Sequence, residues 1–326
     1  MLSRITTGFC LHRPEMVPVI ARVMETHDVI FLEEPPAQGF TDMLNTRLDV
    51  EEYLMPMDLE YPEFSRRMCR VEQRLHARGK QLIQVEPFIE ALLSIHEFLV
   101  QGNRPEDIAP NSLLQFVYQA EKNATAALLS YYRTAVAGSF EQAVSSVRQF
   151  ARADAARFRL RDSLRAQEIA RQAGRHQSIF VEAGMIHLYL WQQLRRKLKG
   201  VFRVQPVFLD RTALQMPSPH HHTYSPGDQL TLAYVFRPGL SSDKWESLMA
   251  ARSIIYSKIV QKEENRSDST PFFHLTDEID CIRTVRMLSL TDCRTLYPLI
   301  RLAGTAKARL AVADHVTTHY QTRVLL

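Results

Sequence analysis

DVIFLEEPP, residues 28–36, is the stretch that decides the fold. Val29, Ile30, Phe31 and Leu32 follow one another with no polar residue alternating between them, and Pro35-Pro36 ends the run. An unbroken apolar run of this length fits a strand covered on both faces, as parallel sheets require. Four other stretches read as strands: RITTGFCL (4–11), KQLIQVE (80–86), QSIFVEAG (177–184) and FRVQPVFLD (202–210). Helical patterns separate them. One follows Pro14, which suits a first helical turn, and one spans 61–78 and stops at Gly79. Others cover 88–100 and HLYLWQQLRRKL (187–198), whose basic residues gather near its C-terminus. Asp49 is placed to cap a further short helix. Strands alternating with helices predict an α/β fold with a mainly parallel central sheet flanked by helices.

The alternation breaks twice. Residues 105–173 lose strand character and read as two or three long helices, a helical insertion in the α/β domain. After Asp210 the composition shifts to MPSPHHHTYSPGD (216–228), a Pro/Ser/His-rich loop of the kind found at boundaries. Beyond it, 229–262 and 272–320 read as largely helical. The expected organisation is an α/β domain over 1–210 and a mostly helical C-terminal region over 211–326, in keeping with a chain too long for one simple core.

Composition narrows the function classes. A hydrophobic fraction of 45% with 23% charged residues is ordinary for a globular protein. The formal charge of +4 is too diffuse to argue for nucleic acid. No uncharged apolar run is long enough to span a bilayer, and no apolar segment follows a basic N-terminus as in a secretory signal. Cys10, Cys69, Cys281 and Cys293 form no C-x-x-C pair. A reducing, cytoplasmic location is expected, with a small-molecule or peptide substrate and neither nucleic acid nor membrane as partner. Homo-oligomerisation stays open. Walker, dinucleotide, H-E-x-x-H and G-x-S-x-G motifs are missing from the sequence.

Ligands of open α/β sheets bind outside the carboxyl ends of the strands, so residues there are the candidates. The first strand runs into His12, the second into Glu33 and Glu34, the third into Glu86, and the fourth into His187 with Glu182 just inside it. Neighbours in a strand point to opposite faces, so one of Glu33 and Glu34 faces the site; Glu33, nearer the strand, is favoured. Arg157, Arg161 and Arg165 share a helix face that reads mainly as solvated, Arg161 being the functional candidate. His220 and His222 could chelate a metal from an extended loop, but two ligands do not make a site.

The order RITTGFCLHRPEMVPVI, DVIFLEEPP, RDSLRAQEIARQ, IFVEAGMIHLYLWQQL resembles the TraB/Tiki family. It also resembles the wider superfamily of erythromycin esterase and ChaN-type haem-binding proteins. The second glycine-x-x-histidine motif of that pattern is matched by Gly184-Met185-Ile186-His187, the acidic strand end by Glu33, and the arginine-led helix by Arg161. In the first motif three residues, not two, separate Gly8 from His12. The resemblance implies a hydrolase that activates water with His12, His187, Glu33 and Arg161. That activation would run either through a divalent metal (zinc, manganese or cobalt) held by His12, Glu33 and His187, or through a histidine base. The alternatives are a haem or metal-complex binding protein of ChaN type and a non-catalytic regulatory scaffold.

Overall fold

The structure, a computed structural model, describes residues 3–174, 178–214, 224–264 and 271–320. Five strands form one all-parallel sheet: β1 (Ser3–Cys10), β2 (Val29–Leu32), β3 (Gln81–Gln84), β4 (Ser178–Gly184) and β5 (Phe202–Phe208). All five expected strands are present, with trimmed ends. β2 stops at Leu32, leaving Glu33 and Glu34 just past the ladder. β5 stops at Phe208, because Leu209 already opens a short helix.

The strand order is β3-β2-β4-β1-β5. The last strand but one in the sequence therefore occupies the centre, between the first and the second. β2 is buried along its whole length, β1 from Ile5 to Cys10 and β4 from Ile179 to Ala183, which explains their apolar sequences. The edges are more polar and more exposed. β3 is QLIQ, and β5 carries Pro206, a residue that only an edge strand tolerates.

The helices that serve the sheet follow from local signals. α1 (Val17–Met24) buries Val17, Val19, Ile20, Ala21 and Met24 after a 3-10 turn opened by Pro14. α2 (Phe40–Leu44) and α3 (Val50–Leu54) lie between β2 and the next long helix, and Asp49 caps α3 by accepting from the Glu51 N–H at 2.8 Å. α4 (Pro62–Ala77) is followed by Gly79 at φ +79°, a left-handed turn that suits glycine. α5 (Pro87–Val100), α6 (Leu113–Ala137) and α7 (Phe140–Gln172) follow. α8 (Leu188–Lys197) joins β4 to β5, and α9 (Leu209–Ala213) follows β5. Then come α10 (Pro226–Phe236), α11 (Asp243–Ile259), α12 (Phe273–Met287), α13 (Leu290–Ile300) and α14 (Thr305–Tyr320).

Two compact units share the chain, and neither is contiguous in sequence. The sheet-bearing unit comprises Met1–Tyr118, Phe158–His221 and Glu264–Phe273; the second comprises Gln119–Arg157, His222–Glu263 and His274–Leu326. The boundary passes through α7, whose first part is counted with the C-terminal helices and whose second part belongs to the sheet. Within the second unit Glu246 ties three elements together, accepting from Arg148 Nη2 (2.8 Å), Arg152 Nη2 (2.7 Å) and Tyr234 Oη–H (2.6 Å). Serines cap α10, α11 and α13 at Ser225, Ser242 and Ser289. Among the described residues no helix is long and apolar enough to cross a membrane. The four cysteines are buried and unbonded.

Gly8, in the middle of β1, is required by packing. A Cβ there would overlap Cζ and Cε2 of Phe180 on β4. Phe180 is fully buried. Gly8→Ala is expected to lower stability by about 1–3 kcal/mol, the usual range for overpacking a core. A shift in the urea midpoint would report it, and an unchanged midpoint would show that Phe180 can give way.

Candidate functional site

The chain leaves β1 toward β2 on one side of the sheet and leaves β4 toward β5 on the other, although β1 and β4 are neighbours. The direction of connection thus reverses at the carboxyl ends of β1 and β4, the kind of position at which open α/β sheets bind ligands. His12 lies two residues beyond the end of β1 and His187 three beyond β4. Gly184 marks the floor between them. A Cβ on it would lie 3.5 Å from His187 Cδ2, 3.8 Å from Glu33 Oε2 and 3.8 Å from His12 Cε1. The two histidines and Glu33 therefore converge over a residue with no side chain.

Glu33 is held from all sides. Its Oε1 accepts from Arg161 Nη2 at 3.1 Å and from His187 Nε2 at 2.9 Å. Its Oε2 accepts from the Gly184 N–H at 2.6 Å and lies 3.4 Å from Arg165 Nη1. Burial opposes ionisation, but His187, Arg165 and Arg161 outweigh it and hold the carboxyl well below the usual range. Glu34 turns the other way, as strand alternation predicts, and accepts from Gln84 Nε2 at 3.0 Å.

His187 donates from both ring nitrogens. Nε2–H reaches Glu33, and Nδ1–H reaches Asp162 Oδ1 at 2.5 Å. Asp162 Oδ2 accepts from the Leu190 N–H at 2.9 Å, so this carboxylate also fixes the first turn of α8. Two acceptor-only partners require the doubly protonated imidazolium. Burial alone would lower the pKa of His187, but Glu33 and Asp162 raise it to about 9.

His12 differs in every respect. It stacks on Phe64 at 5.0 Å between ring centroids, and its Nε2 is buried without a hydrogen-bond partner among the described residues. Burial pushes its pKa below the ordinary 6.5, against the pull of Glu33. Phe64 is itself fixed, because Glu264 caps the start of α4 by accepting from the Glu63 and Phe64 N–H groups at 2.9 and 3.0 Å.

The arginine row needs correcting. Arg165 is fully buried; it donates from Nε to the Val85 carbonyl at 2.9 Å and faces Glu33 and Glu86. Arg161 bridges Glu33 and Glu86, the latter at 2.9 Å. Arg157 reaches Glu121 and Asp154. The face is charged because it is buried against carboxylates, and solvation plays little part. Sequence reasoning thus missed Arg165 and Asp162 and left Glu86 without a role. The i, i+4 spacing of Arg161 and Arg165, set against an acidic strand end, was the available signal. Glu182 accepts from the Glu33 N–H at 3.2 Å; burial, with Glu34 nearby, raises its pKa to about 8. The His220–His222 run lies outside the described residues.

As these side chains stand, they do not fit a divalent ion. Both His187 nitrogens face carboxylates, and both Glu33 oxygens lie against nitrogen groups of His187, Arg161, Arg165 and Gly184. Among the described residues no group of three or more His, Cys, Asp or Glu side chains is disposed to hold a metal.

His187 gains its proton affinity by folding. Its contribution to stability is complete below pH 6.5, its ordinary value, and is lost as pH rises through about 9. Glu182 acts with the same sign, its contribution falling as pH rises from 4.5 through about 8. Urea midpoints are expected to decline across this alkaline window, and less steeply in Asp162→Asn. Ring-proton NMR is expected to show His187 titrating near 9. A midpoint at the ordinary histidine value would contradict the imidazolium assignment.

The chain is 26% identical over 286 residues to an uncharacterised protein of Archaeoglobus fulgidus, a match covering 87% of this chain and 94% of that protein. No family model matches the chain. No solved structure matches it.

Proposed function

We propose that the protein is a hydrolase of carboxylic esters or lactones in which His12 acts as the general base on water. The observation that carries this reading is the contrast between the two histidines. His187 is locked as a cation between Glu33 and Asp162, whereas His12 keeps a buried, unpartnered ring nitrogen and a pKa lowered by burial. A neutral imidazole with a free nitrogen, beside fixed positive charge, is the combination that general-base hydrolysis needs. The resemblance to the TraB/Tiki and erythromycin esterase proteins points the same way, since the latter use a histidine base.

In the proposed sequence His12 Nε2 takes a proton from water as the oxygen attacks the substrate carbonyl carbon. Negative charge develops on the carbonyl oxygen, and Arg161, the more exposed of the two arginines on Glu33, stabilises it. The tetrahedral intermediate collapses, the carbon–oxygen bond to the leaving group breaks, and the departing alkoxide takes the proton back from His12. His187 and Glu33 hold the geometry and the field. Cys10, although at the end of β1, is no rival nucleophile: burial, reinforced by Glu182 and Glu33, pushes its thiol pKa well up.

A panel of p-nitrophenyl esters and lactones, assayed with chelator-dialysed protein, tests the reading. Activity is expected to survive dialysis and to fall at acid pH with a midpoint below 6.5, as His12 takes up a proton. His12→Ala is expected to lower kcat/KM by about 100-fold or more. Equal rates for His12→Ala and the natural chain would refute the role. Loss on dialysis with recovery on added zinc, manganese or cobalt would favour the metal-dependent form instead. A visible absorption band on the purified protein would favour haem binding.

A further inference from the structure

Between Glu182 and Asp210 the sequence contains no acidic residue, yet it carries Arg195, Arg196, Lys197, Lys199 and Arg203. Among the described residues none of these five cations is ion-paired with a carboxylate. The last turn of α8 and the start of β5 bring four of them to one cleft of about 770 Å3, lined by Trp191, Arg195, Arg196, Lys199, Arg203 and Gln205 among others. This volume is within the range of small-molecule sites. The cleft lies at the start of β5, at the end of the sheet opposite the His12–His187 cluster.

Helix-end electrostatics accounts for part of the charge. Arg195, Arg196 and Lys197 complement the negative end of α8. Lys199 and Arg203 lie beyond the helix and are not explained that way. Arg203 also stands directly opposite Arg4 of β1 in the parallel register, so two exposed guanidinium groups share one face of the sheet. Like charges in that relation repel, and an anion between or above them removes the penalty.

The wall of the cleft adds a second observation. Trp191 keeps its Nε1–H buried with no acceptor among the described residues, while the Arg195 guanidinium rests 5.8 Å from the ring centroid. Gln205 accepts from Arg203 Nε and Nη2 at 2.7 and 2.9 Å in the amide orientation its surroundings require, which holds that guanidinium in place. A donor with no acceptor, beside several cations with no carboxylate partner among the described residues, matches an acceptor-rich polyanion. Phosphate oxygens supply that chemistry, and arginine forks and lysine ammoniums both recognise it.

We propose that this cleft binds a small molecule through a di- or triphosphate group. The ligand chemistry is shared by inorganic polyphosphates and nucleotides, and the experiment separates them. Titration calorimetry of the full chain would use sodium tripolyphosphate and ATP as probes, at low and at physiological salt. Saturable binding of at least one probe at a single site is expected, weakening as salt rises. Arg196→Ala/Lys199→Ala, two exposed positions, is expected to weaken it at least tenfold with an unchanged circular dichroism spectrum. Trp191→Phe is expected to weaken it several-fold. His12→Ala is expected to leave it unchanged, so the result does not depend on the hydrolase reading. ATP bound more tightly than tripolyphosphate would identify a nucleotide; equal affinities would identify the phosphates alone. No saturable binding, or binding unaffected by the double substitution, would overturn the proposal. So would a single-stranded RNA oligonucleotide bound a hundredfold more tightly than either probe, which would mark a nucleic-acid surface.

Discussion

The site depends on one buried imidazolium. His187 stands between Glu33 and Asp162, and each contact fixes a different part of the fold. Through Asp162 it joins α7 to the first turn of α8; through Glu33 it joins the exit of β4 to the exit of β2. A neutral histidine could donate to only one of these carboxylates and would leave the other an acceptor without a proton. Removing a partner from such a buried group costs more than the bond itself contributes, because the remaining charge stays desolvated. The cluster therefore behaves as one unit, in which Arg161, Arg165 and His187 balance Glu33, Glu86 and Asp162.

A few residues away the same sheet buries carboxyl groups by the opposite route. Among the described residues Glu72 and Glu182 have no guanidinium in hydrogen-bond contact, and burial, with Glu34 nearby, raises the pKa of both. The side chains of Glu33 and Glu34 part at the end of β2, one toward the arginines and one toward Gln84 and Tyr53. Adjacent residues of identical chemistry thus have their carboxyl pKa values moved in opposite directions, Glu33 down and Glu34 up. Strand alternation directs them, and the presence or absence of cations decides the outcome.

Much of this was legible in the sequence, and the exceptions have a common cause. All five strands were legible in the sequence, the buried central ones as apolar runs, and the exits of β1, β2 and β4 pointed to His12, Glu33 and His187, which the structure gathers over Gly184. The central place of β4 was not legible, because strand order leaves no local trace. Asp162 and Arg165 were also missed. They sit on the face of α7 that buries Ala166 and Ile169, but a charged residue on a helix reads as solvated unless its counter-charge is known. Those counter-charges, Glu33, Glu86 and His187, stand just past the ends of β2, β3 and β4, and the two glutamates are far away in sequence.

The insertion of β4 between β1 and β2 has a consequence for how the chain comes off the ribosome. Arg4 pairs with Ser178, so the first strand waits for a partner more than half the chain away. Until residues 178–184 emerge, β1 and β2 have no common neighbour and both present open apolar edges. Contacts of such long range are slow to form, and exposed edges invite pairing with other chains in the meantime. The functional cluster is assembled by the same late event, since Gly184 and His187 arrive with β4. Synthesis halted before residue 178 leaves a chain with neither a continuous sheet nor a site, whereas one halted just after α9 already contains every strand and every member of the cluster.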